Sequence, residues 1–177
     1  MNKMRPILIA VMAVMIAVTA VFTMLVRVPI PATQGYFNFS DVAVYFSAFT
    51  FGPLVGLVAG GVGTAIADLL GGYAQWAPLT LFAHGLQGWI AGLLAVRRGV
   101  PGLVLGWLVG TVVMVGLYLV GAALVMGIGW PAAIAEVPTN LLQNVLGGVV
   151  GVPLYYAVRK AYPPVTRLGQ PTTWREE

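Results

Sequence analysis

Cysteine is absent from this chain, and histidine occurs only once, as His84. Without cysteine, the protein has no disulfide bond, no thiolate nucleophile and no cysteine-ligated metal. A single histidine also excludes most histidine-rich metal sites. We therefore expect neither a bound metal nor a cofactor.

Charged residues are scarce as well. They make up 8% of the 177 residues, whereas hydrophobic residues make up 59%. A soluble domain carries about 25% charged residues, which cover its water-facing surface. Long apolar runs without charge are typical of membrane spans. The composition therefore favours an all-α, polytopic membrane protein over an unusually apolar soluble one.

The motifs of nucleotide hydrolysis and hydrolase chemistry are missing too. The glycine-rich stretch "GGVGTAIAD" contains no lysine, so it is not a phosphate-binding loop, and no His-Glu-x-x-His zinc motif is found. The chain has only two serines, Ser40 and Ser47, and neither lies in a nucleophile elbow. We predict that the protein is not an enzyme and does not hydrolyse ATP by itself.

Apolar segments predict six membrane-spanning helices, at residues 6–28, 39–51, 53–70, 78–96, 101–126 and 131–156. The first resembles a signal peptide, but it is long enough to span and we expect it to be kept. The second is short for a bilayer, so we expect it to be tilted or partly interfacial. A turn at Gly52 and Pro53 separates spans two and three. The alternative is one helix bent across Gly52, which leaves five spans.

Basic residues are distributed unequally between the two sides of this six-span arrangement. Only Arg27 faces out, and the inner segments hold Lys3, Arg5, Arg97, Arg98, Arg159, Lys160, Arg167 and Arg175. The positive-inside rule then places both termini in the cytoplasm. Residues 1–160 form the predicted membrane domain, and residues 161–177 form a short, loosely ordered cytoplasmic tail. The net charge of +4 reflects contact with the inner leaflet rather than nucleic-acid binding.

Polar residues within the spans gather toward the outer side. They lie at the start of span two, the end of span three, the outer half of span four and along span six: Asn38, Asp41, Asp68, His84, Gln87, Glu136, Asn140, Gln143 and Asn144. Aromatic residues of the outer loops lie at the same level: Tyr36, Tyr73, Trp76 and Trp130. Ionisable groups inside a membrane are costly unless they face a partner or a wet cavity. The pattern predicts a solute pocket open to the exterior.

Each of these polar groups also has a purely structural interpretation, which the sequence leaves open. Asn38 and Asp41 fit a helix N-cap followed by an acidic residue, and we expect Asp41 to start and cap span two. Asp68 fits an ion pair with Arg27 or His84, and His84 itself fits a buried packing residue. The polar stripe of span six fits hydrogen bonding between helices.

Small residues form one face of span one: Ala10, Ala13, Ala17 and Ala20. Such a face permits close helix packing in lipid, either within the bundle or against a second membrane protein. Span three carries a similar row, expected to serve internal packing: Gly56, Gly60, Gly63 and Ala67.

The chain resembles the substrate-binding S components of energy-coupling factor (ECF) vitamin transporters, over about residues 6–160. The matching segments are "GYFN", "FGP", "ADLLGGY", "EVPTNLLQNVLGGVVGVPLY" and the small-residue face "AVMIA". The resemblance is greatest to the branch for hydroxymethylpyrimidine, pyridoxine or riboflavin. It implies a bundle of six helices in a prokaryotic cytoplasmic membrane. This bundle is expected to bind a vitamin or precursor at its outer side. It also implies that the alanine face docks on a transmembrane coupling protein, which carries two ABC ATPases.

Roles for individual residues follow from the predicted pocket and this resemblance. Tyr36 and Asn38 are expected to close over the ligand, and Tyr73 and Trp76 to stack on it. Hydrogen bonds are expected from Asp68, His84, Glu136, Asn140 and Gln143. Two rival functions remain: an intramembrane enzyme acting on a lipid or isoprenoid with Asp68, His84 and Glu136, and a stand-alone secondary carrier.

Overall fold

The structure, a computed structural model, describes residues 6–31, 33–96 and 98–168. Its helices are α1 (Pro6–Leu25), α2 (Ser40–Phe51), α3 (Pro53–Gly71), α4 (Ala77–Ala95), α5 (Gly99–Val120) and α6 (Trp130–Ala161). A π-helical turn, Gly121–Val125, extends α5, and a 3-10 turn, Pro163–Arg167, follows α6. The predicted helical fold is confirmed. When the π-helical turn is counted with α5, the largest difference from the predicted bounds is at the end of α6, residue 161 instead of 156.

Four helices of the described part are long and apolar enough to cross a membrane, namely α1, α3, α5 with its π-helical turn, and α6. Two predicted spans are not among them. The helix α2 has only 12 residues, and α4 carries His84 and Gln87 among its apolar residues. Several basic residues used to predict the orientation lie outside the described residues: Lys3, Arg5, Arg97 and Arg175.

The short helix α2 lies at the centre of the bundle. All of its residues except Phe46 are buried, because α1, α3, α4 and α6 surround it. Its side chains therefore face the other helices, and the tilted or partly interfacial position expected for this segment stays a prediction. Gly52 separates α2 from α3 with a φ of 89°, a conformation that favours glycine, and Pro53 begins α3. The alternative of one bent helix across Gly52 is wrong.

Glycines bring α3 and α4 into backbone contact. A Cβ atom at Gly56 would lie 2.5 Å from the carbonyl oxygen of Gly88, and one at Gly60 would lie 2.5 Å from that of His84. Gly63 instead faces α1, where its Cβ would meet Thr19. The expectation of internal packing for this glycine row is confirmed. The contact fixes the height of His84 relative to α3.

A two-stranded antiparallel hairpin joins α1 to α2, which the all-α prediction missed. Its strands are β1 (Val28–Ile30) and β2 (Gly35–Phe37), with Val28 opposite Phe37 and Ile30 opposite Gly35. The β-branched and aromatic side chains of these short segments favour strands. The hairpin folds over the end of the bundle where α1 ends and α2 begins.

An apolar cluster fills the opposite end of the bundle. It includes Leu8, Met12, Phe51 and Val55, together with Val165 from the 3-10 turn. The beginning of the segment predicted as a loosely ordered tail therefore packs into the core, while residues 169–177 lie outside the described residues. With one end filled by apolar side chains, the buried polar residues concentrate beneath the hairpin.

Candidate ligand-binding site

A cavity lies beneath the hairpin, between α1, α3, α4, α5 and α6. Its lining is rich in polar and aromatic side chains: Thr23, Gly35, Tyr36, Asn38, Thr64, Asp68, Trp76, Thr80, His84, Met114, Tyr118, Glu136, Asn140 and Gln143. The free space is about 30 Å³, which holds one or two water molecules. In this conformation the free volume is smaller than an aromatic ring.

The predicted pocket residues converge in this cavity with one exception. Those that line it are Tyr36, Asn38, Asp68, Trp76, His84, Glu136, Asn140 and Gln143. The exception is Tyr73, whose ring lies behind Tyr36 at a centroid distance of 4.3 Å. Tyr73 thus supports a cavity wall instead of forming one, because the hairpin inserts Tyr36 in front of it.

The hairpin and the residue after it are held to the bundle by three hydrogen bonds. The Thr33 hydroxyl donates to Oε1 of Glu136 at 2.8 Å, and the Tyr36 hydroxyl donates to Oδ1 of Asp68 at 2.6 Å. The backbone N–H of Asn38 donates to Oε1 of Gln143 at 3.0 Å. Three polar side chains of the bundle, at positions 68, 136 and 143, therefore also hold the hairpin closed.

Two local features allow this close approach of the hairpin. Gly35 is required beside Glu136, because a Cβ atom there would lie 2.7 Å from Oε1. Burial, and secondly the charge of Asp68, raise the pKa of the Tyr36 phenol above its usual range. Tyr36 therefore remains protonated and donates its hydrogen bond at every physiological pH.

Arg27 supports the hairpin from outside the cavity. Its guanidinium lies 5.6 Å from the centre of the Tyr36 ring, close enough for a cation–π contact. Within the described residues, the contact at ion-pair distance joins His84 to Asp41, at 3.2 Å between Nδ1 and Oδ1. The interpretation in which Asp68 pairs with Arg27 or His84 is therefore wrong, and Asp68 accepts from Tyr36 instead.

The expected capping role of Asp41 is also wrong. Asp41 lies in the first turn of α2, but no side-chain capping hydrogen bond is found at that helix start. The oxygen Oδ1 of Asn38 accepts from the backbone N–H of Ser40 at 2.7 Å, so Asn38 satisfies a donor near the start of α2. Asp41 points inward to His84 because a glycine, Gly147, leaves room beside its Cβ.

A buried hydrogen-bond network lies below the cavity and joins α2, α4, α5 and α6. Asn144 is its centre: its Oδ1 accepts from Gln87 and from Tyr45, both at 2.7 Å. Its Nδ2 donates to the backbone oxygen of Asn140 at 3.0 Å, and its backbone oxygen accepts from Trp107 at 2.9 Å. Of the polar stripe on α6, Asn144 thus serves helix packing, as the structural interpretation expected.

Sequence reasoning missed several lining residues, including Thr23, Thr64, Thr80, Met114 and Tyr118. The threonines are poorly distinguished by sequence, because a membrane helix often satisfies such hydroxyls against its own backbone, as Thr23 and Thr64 do here. No pocket residue was predicted in α5. The usable signal there was Tyr118 itself, a polar aromatic residue within the apolar run of α5. In the structure its hydroxyl lies 2.8 Å from that of Thr80.

Two cavity-lining residues each carry a buried polar atom without a hydrogen-bond partner among the described residues. They are Oδ2 of Asp68, an acceptor, and Nε1 of Trp76, a donor. No cluster of three His, Cys, Asp or Glu side chains in the described part is arranged to hold a metal ion. The site is therefore equipped to orient a small polar molecule against aromatic walls.

The alanine face of α1 lies away from this site. Ala10, Ala13 and Ala17 are exposed and Ala20 is half-buried, while the residues of α1 that pack against the bundle lie on the opposite side of the helix. Within the described residues, this face is not used for packing inside the bundle.

Comparisons with known proteins agree on one family. Residues 3–160 match the model of the ECF-type riboflavin transporter S component. The chain is 44% identical to an uncharacterised protein of Pyrococcus woesei, over 82% of this chain and 97% of that protein. It is 32% identical to the thiamine precursor transporter HmpT of Lactococcus lactis subsp. cremoris, over 80% of this chain and 81% of that protein.

A structural comparison gives the same fold. The S component of a bacterial ECF transporter superposes with a TM-score of 0.65 and 23% identity, over 87% of this chain and 96% of that one. The match to this transporter family, together with several helices that are apolar enough to cross a membrane, shows that the chain is a multi-pass protein of a prokaryotic cell membrane. The chain belongs to the family of ECF-type transporter S components, the vitamin-binding subunits that its sequence resembles.

Proposed function

We propose that the chain captures a vitamin or vitamin precursor at the outer face of the membrane. The ligand is a small aromatic heterocycle such as pyridoxine, hydroxymethylpyrimidine or riboflavin. The observation that carries this proposal is the convergence of carboxylate, amide, imidazole and indole groups in one cavity. The relatives named as transporters of a thiamine precursor and of riboflavin support the vitamin class.

The lining suggests how such a ligand is held. Trp76 and Tyr118 lie 6.0 Å apart between ring centres and offer aromatic surfaces for stacking. Asp68 accepts a hydrogen bond from the ligand through Oδ2, and Trp76 donates one through Nε1. Asn140 adds a side-chain amide that lines the cavity without a hydrogen bond to the described residues. Binding thus combines apolar burial with a few oriented polar contacts.

Ligand entry requires the hairpin to move. The closed cavity of about 30 Å³ is too small for a heterocycle. The hairpin side chains Thr33 and Tyr36 each hold the bundle through one hydrogen bond, to Glu136 and to Asp68, so these are the side-chain contacts that opening breaks. The hairpin therefore opens to admit the ligand and closes over it afterwards.

The orientation and the partners complete the proposal. Six helices span the membrane with both termini in the cytoplasm, so that the cavity faces out. The exposed alanine face, with Ala10, Ala13, Ala17 and Ala20, docks on a transmembrane coupling protein that works with two ABC ATPases. A flat, exposed face supports this, because close helix packing in lipid needs small residues.

The rival functions make different use of the same residues. An enzyme based on Asp68, His84 and Glu136 needs these groups directed at a substrate, whereas here Tyr36, Asp41 and Thr33 already engage them. A stand-alone carrier transports its solute in liposomes without other proteins. The S component transports only with its coupling protein and ATPases, so reconstitution with and without these partners distinguishes the two.

Isothermal titration calorimetry tests the binding claim directly. The purified full chain is titrated with hydroxymethylpyrimidine, pyridoxine and riboflavin, and at least one of them is expected to bind. Asn140→Ala and Trp76→Ala are expected to weaken that binding by about tenfold, the loss of one good hydrogen bond or stacking contact. Val145→Ala, at an exposed position of α6, is the matched control. Absence of all binding, or wild-type affinity in both variants, contradicts the proposal.

A further inference from the structure

Asp41 is the most deeply buried carboxylate of the described chain, and the proposed function does not use it. Its exposed fraction is 0%, and neither carboxylate oxygen has a hydrogen bond among the described residues. The nitrogen Nδ1 of His84 lies 3.2 Å from Oδ1 of Asp41. A buried carboxylate without hydrogen bonds keeps its charge only beside a compensating positive charge, and otherwise takes up a proton.

The hydrogen-bond network below the cavity determines which nitrogen of His84 carries a proton. The backbone oxygen of Asn140 can only accept, so it directs Nδ2 of Asn144 toward itself. Oδ1 of Asn144 then faces Nε2 of Gln87. Oε1 of Gln87 is thereby directed at Nδ1 of His84, at 2.8 Å. Since that oxygen accepts, Nδ1 carries the hydrogen.

His84 lines the cavity, and its other ring nitrogen, Nε2, makes no hydrogen bond to the described residues, so Nε2 is the nitrogen left for a ligand. In a neutral ring protonated at Nδ1, Nε2 is an acceptor; in an imidazolium it is a donor. The carboxylate of Asp41 stabilises the imidazolium, because it brings a compensating negative charge to the same nitrogen that Gln87 orients. The other charged or titratable groups that line the cavity around His84 are Asp68, Glu136, Tyr36 and Tyr118.

We propose that Asp41 is a positioning residue, which acts through His84 to present a charged N–H donor from Nε2 to the bound heterocycle. This proposal rests on the proposed function and sharpens the ligand class. The ligand carries an acceptor, such as a ring nitrogen or carbonyl, on the side facing His84. It carries a donor, such as an amino or hydroxyl group, on the side facing Oδ2 of Asp68.

The single histidine of the chain makes the first test unambiguous. The full chain, labelled with ¹⁵N-histidine, is measured by NMR in detergent micelles at about pH 7.5, where free histidine is mostly neutral. Both ring nitrogens of the wild-type protein are expected to be protonated. In Asp41→Asn, which keeps the shape of the side chain, only Nδ1 is expected to keep its proton. A neutral ring in the wild type, or an unchanged spectrum in Asp41→Asn, overturns the proposal.

A double-mutant cycle provides the second test, with calorimetry on whichever of hydroxymethylpyrimidine, pyridoxine and riboflavin binds. Asp41→Asn is expected to raise the Kd by about tenfold, because a charge-assisted hydrogen bond becomes a neutral one. In a His84→Gln background, Asp41→Asn is expected to change the Kd by less than about twofold. Equal effects in both backgrounds mean a structural role only and overturn the proposal. A wild-type chain that binds none of the three probes refutes the proposed function, and the NMR spectrum still decides the state of His84.

Discussion

The polar stripe of α6 shows how neighbouring residues on one helix face take different roles. Glu136 and Gln143 accept hydrogen bonds from the hairpin segment, and Asn140 faces the cavity. Asn144, one turn beyond Asn140, holds α2, α4 and α5 together instead. Spacing predicted that these residues share a face. It did not predict which of them line the cavity. That depends on where along α6 the neighbouring helices place hydrogen-bonding side chains.

At the same scale, single glycines set the distance between α3 and α4. A Cβ atom at Gly88 would overlap the backbone carbonyl of Gly56, which cannot move without displacing α3. We expect Gly88→Ala to lower stability by about 1–3 kcal/mol, the usual cost of overpacking. Thermal unfolding in detergent, followed by size-exclusion chromatography, measures the change.

Gly85→Ala on the same helix is the matched control for this prediction. Its Cβ atom would meet no atom closer than the backbone oxygen of Leu57 at 3.4 Å, an ordinary van der Waals contact. Its unfolding temperature is expected to stay close to that of the wild type. Equal losses in both variants would show that the glycines matter for helix flexibility and not for close packing.

Among the elements, α2 is the short apolar helix that was predicted as a membrane span. Its 12 residues are too few to cross a bilayer alone, but α2 packs inside a bundle formed by the longer helices. Four other helices surround it, so Asp41 and Asn38 lie inside the protein. Asn38, just before the start of α2, thus lines the cavity.

The hairpin is the element on which ligand exchange depends. Thr33→Val with Tyr36→Phe removes both hydroxyl donors to the carboxylates while keeping the side-chain shapes. A hydrogen bond to a charged group contributes about 1.5–3 kcal/mol, so we expect the hairpin to open at least about tenfold more often. Hydrogen–deuterium exchange of residues 28–38 measures this opening by mass spectrometry.

The control for the hairpin prediction is Val28→Thr. Val28 lies on the same hairpin but is 53% exposed, and threonine suits a strand equally well. Its exchange is expected to match that of the wild type. Wild-type exchange in the Thr33 and Tyr36 double variant would mean that backbone pairing alone keeps the hairpin closed.

For the whole molecule, the membrane topology is open to a direct test, because the chain contains no cysteine. Gln75→Cys lies in the exposed segment between α3 and α4, and Tyr162→Cys lies just after α6. In the six-span arrangement, a membrane-impermeant maleimide applied to intact cells labels only the first. The second is labelled after permeabilisation. Labelling of both from outside would mean that α4, α5 and α6 do not all cross the membrane.

The binding partner of the alanine face of α1 is also a question about the whole molecule. Ala13→Trp and Ala17→Trp each place a bulky ring on the exposed alanine face. We expect both to abolish co-purification with the coupling protein and ATPases while leaving ligand affinity unchanged. Val112→Trp, at a position of α5 that is 71% exposed, controls for a bulky residue in lipid. Retained co-purification in the alanine variants would assign this face to lipid contact alone.

The sequence by itself determined the helices and the level of the polar groups. Apolar runs, glycine and proline breaks and charge asymmetry are local signals, and they predicted helix bounds and brought together the residues of the cavity. The packing of α2 at the centre, the closure of the hairpin over Asp68 and Glu136, and the pairing of Asp41 with His84 were decided by the tertiary structure alone. These features join residues far apart in the chain. Their geometry depends on how closely the helices approach, which no periodicity within one helix records.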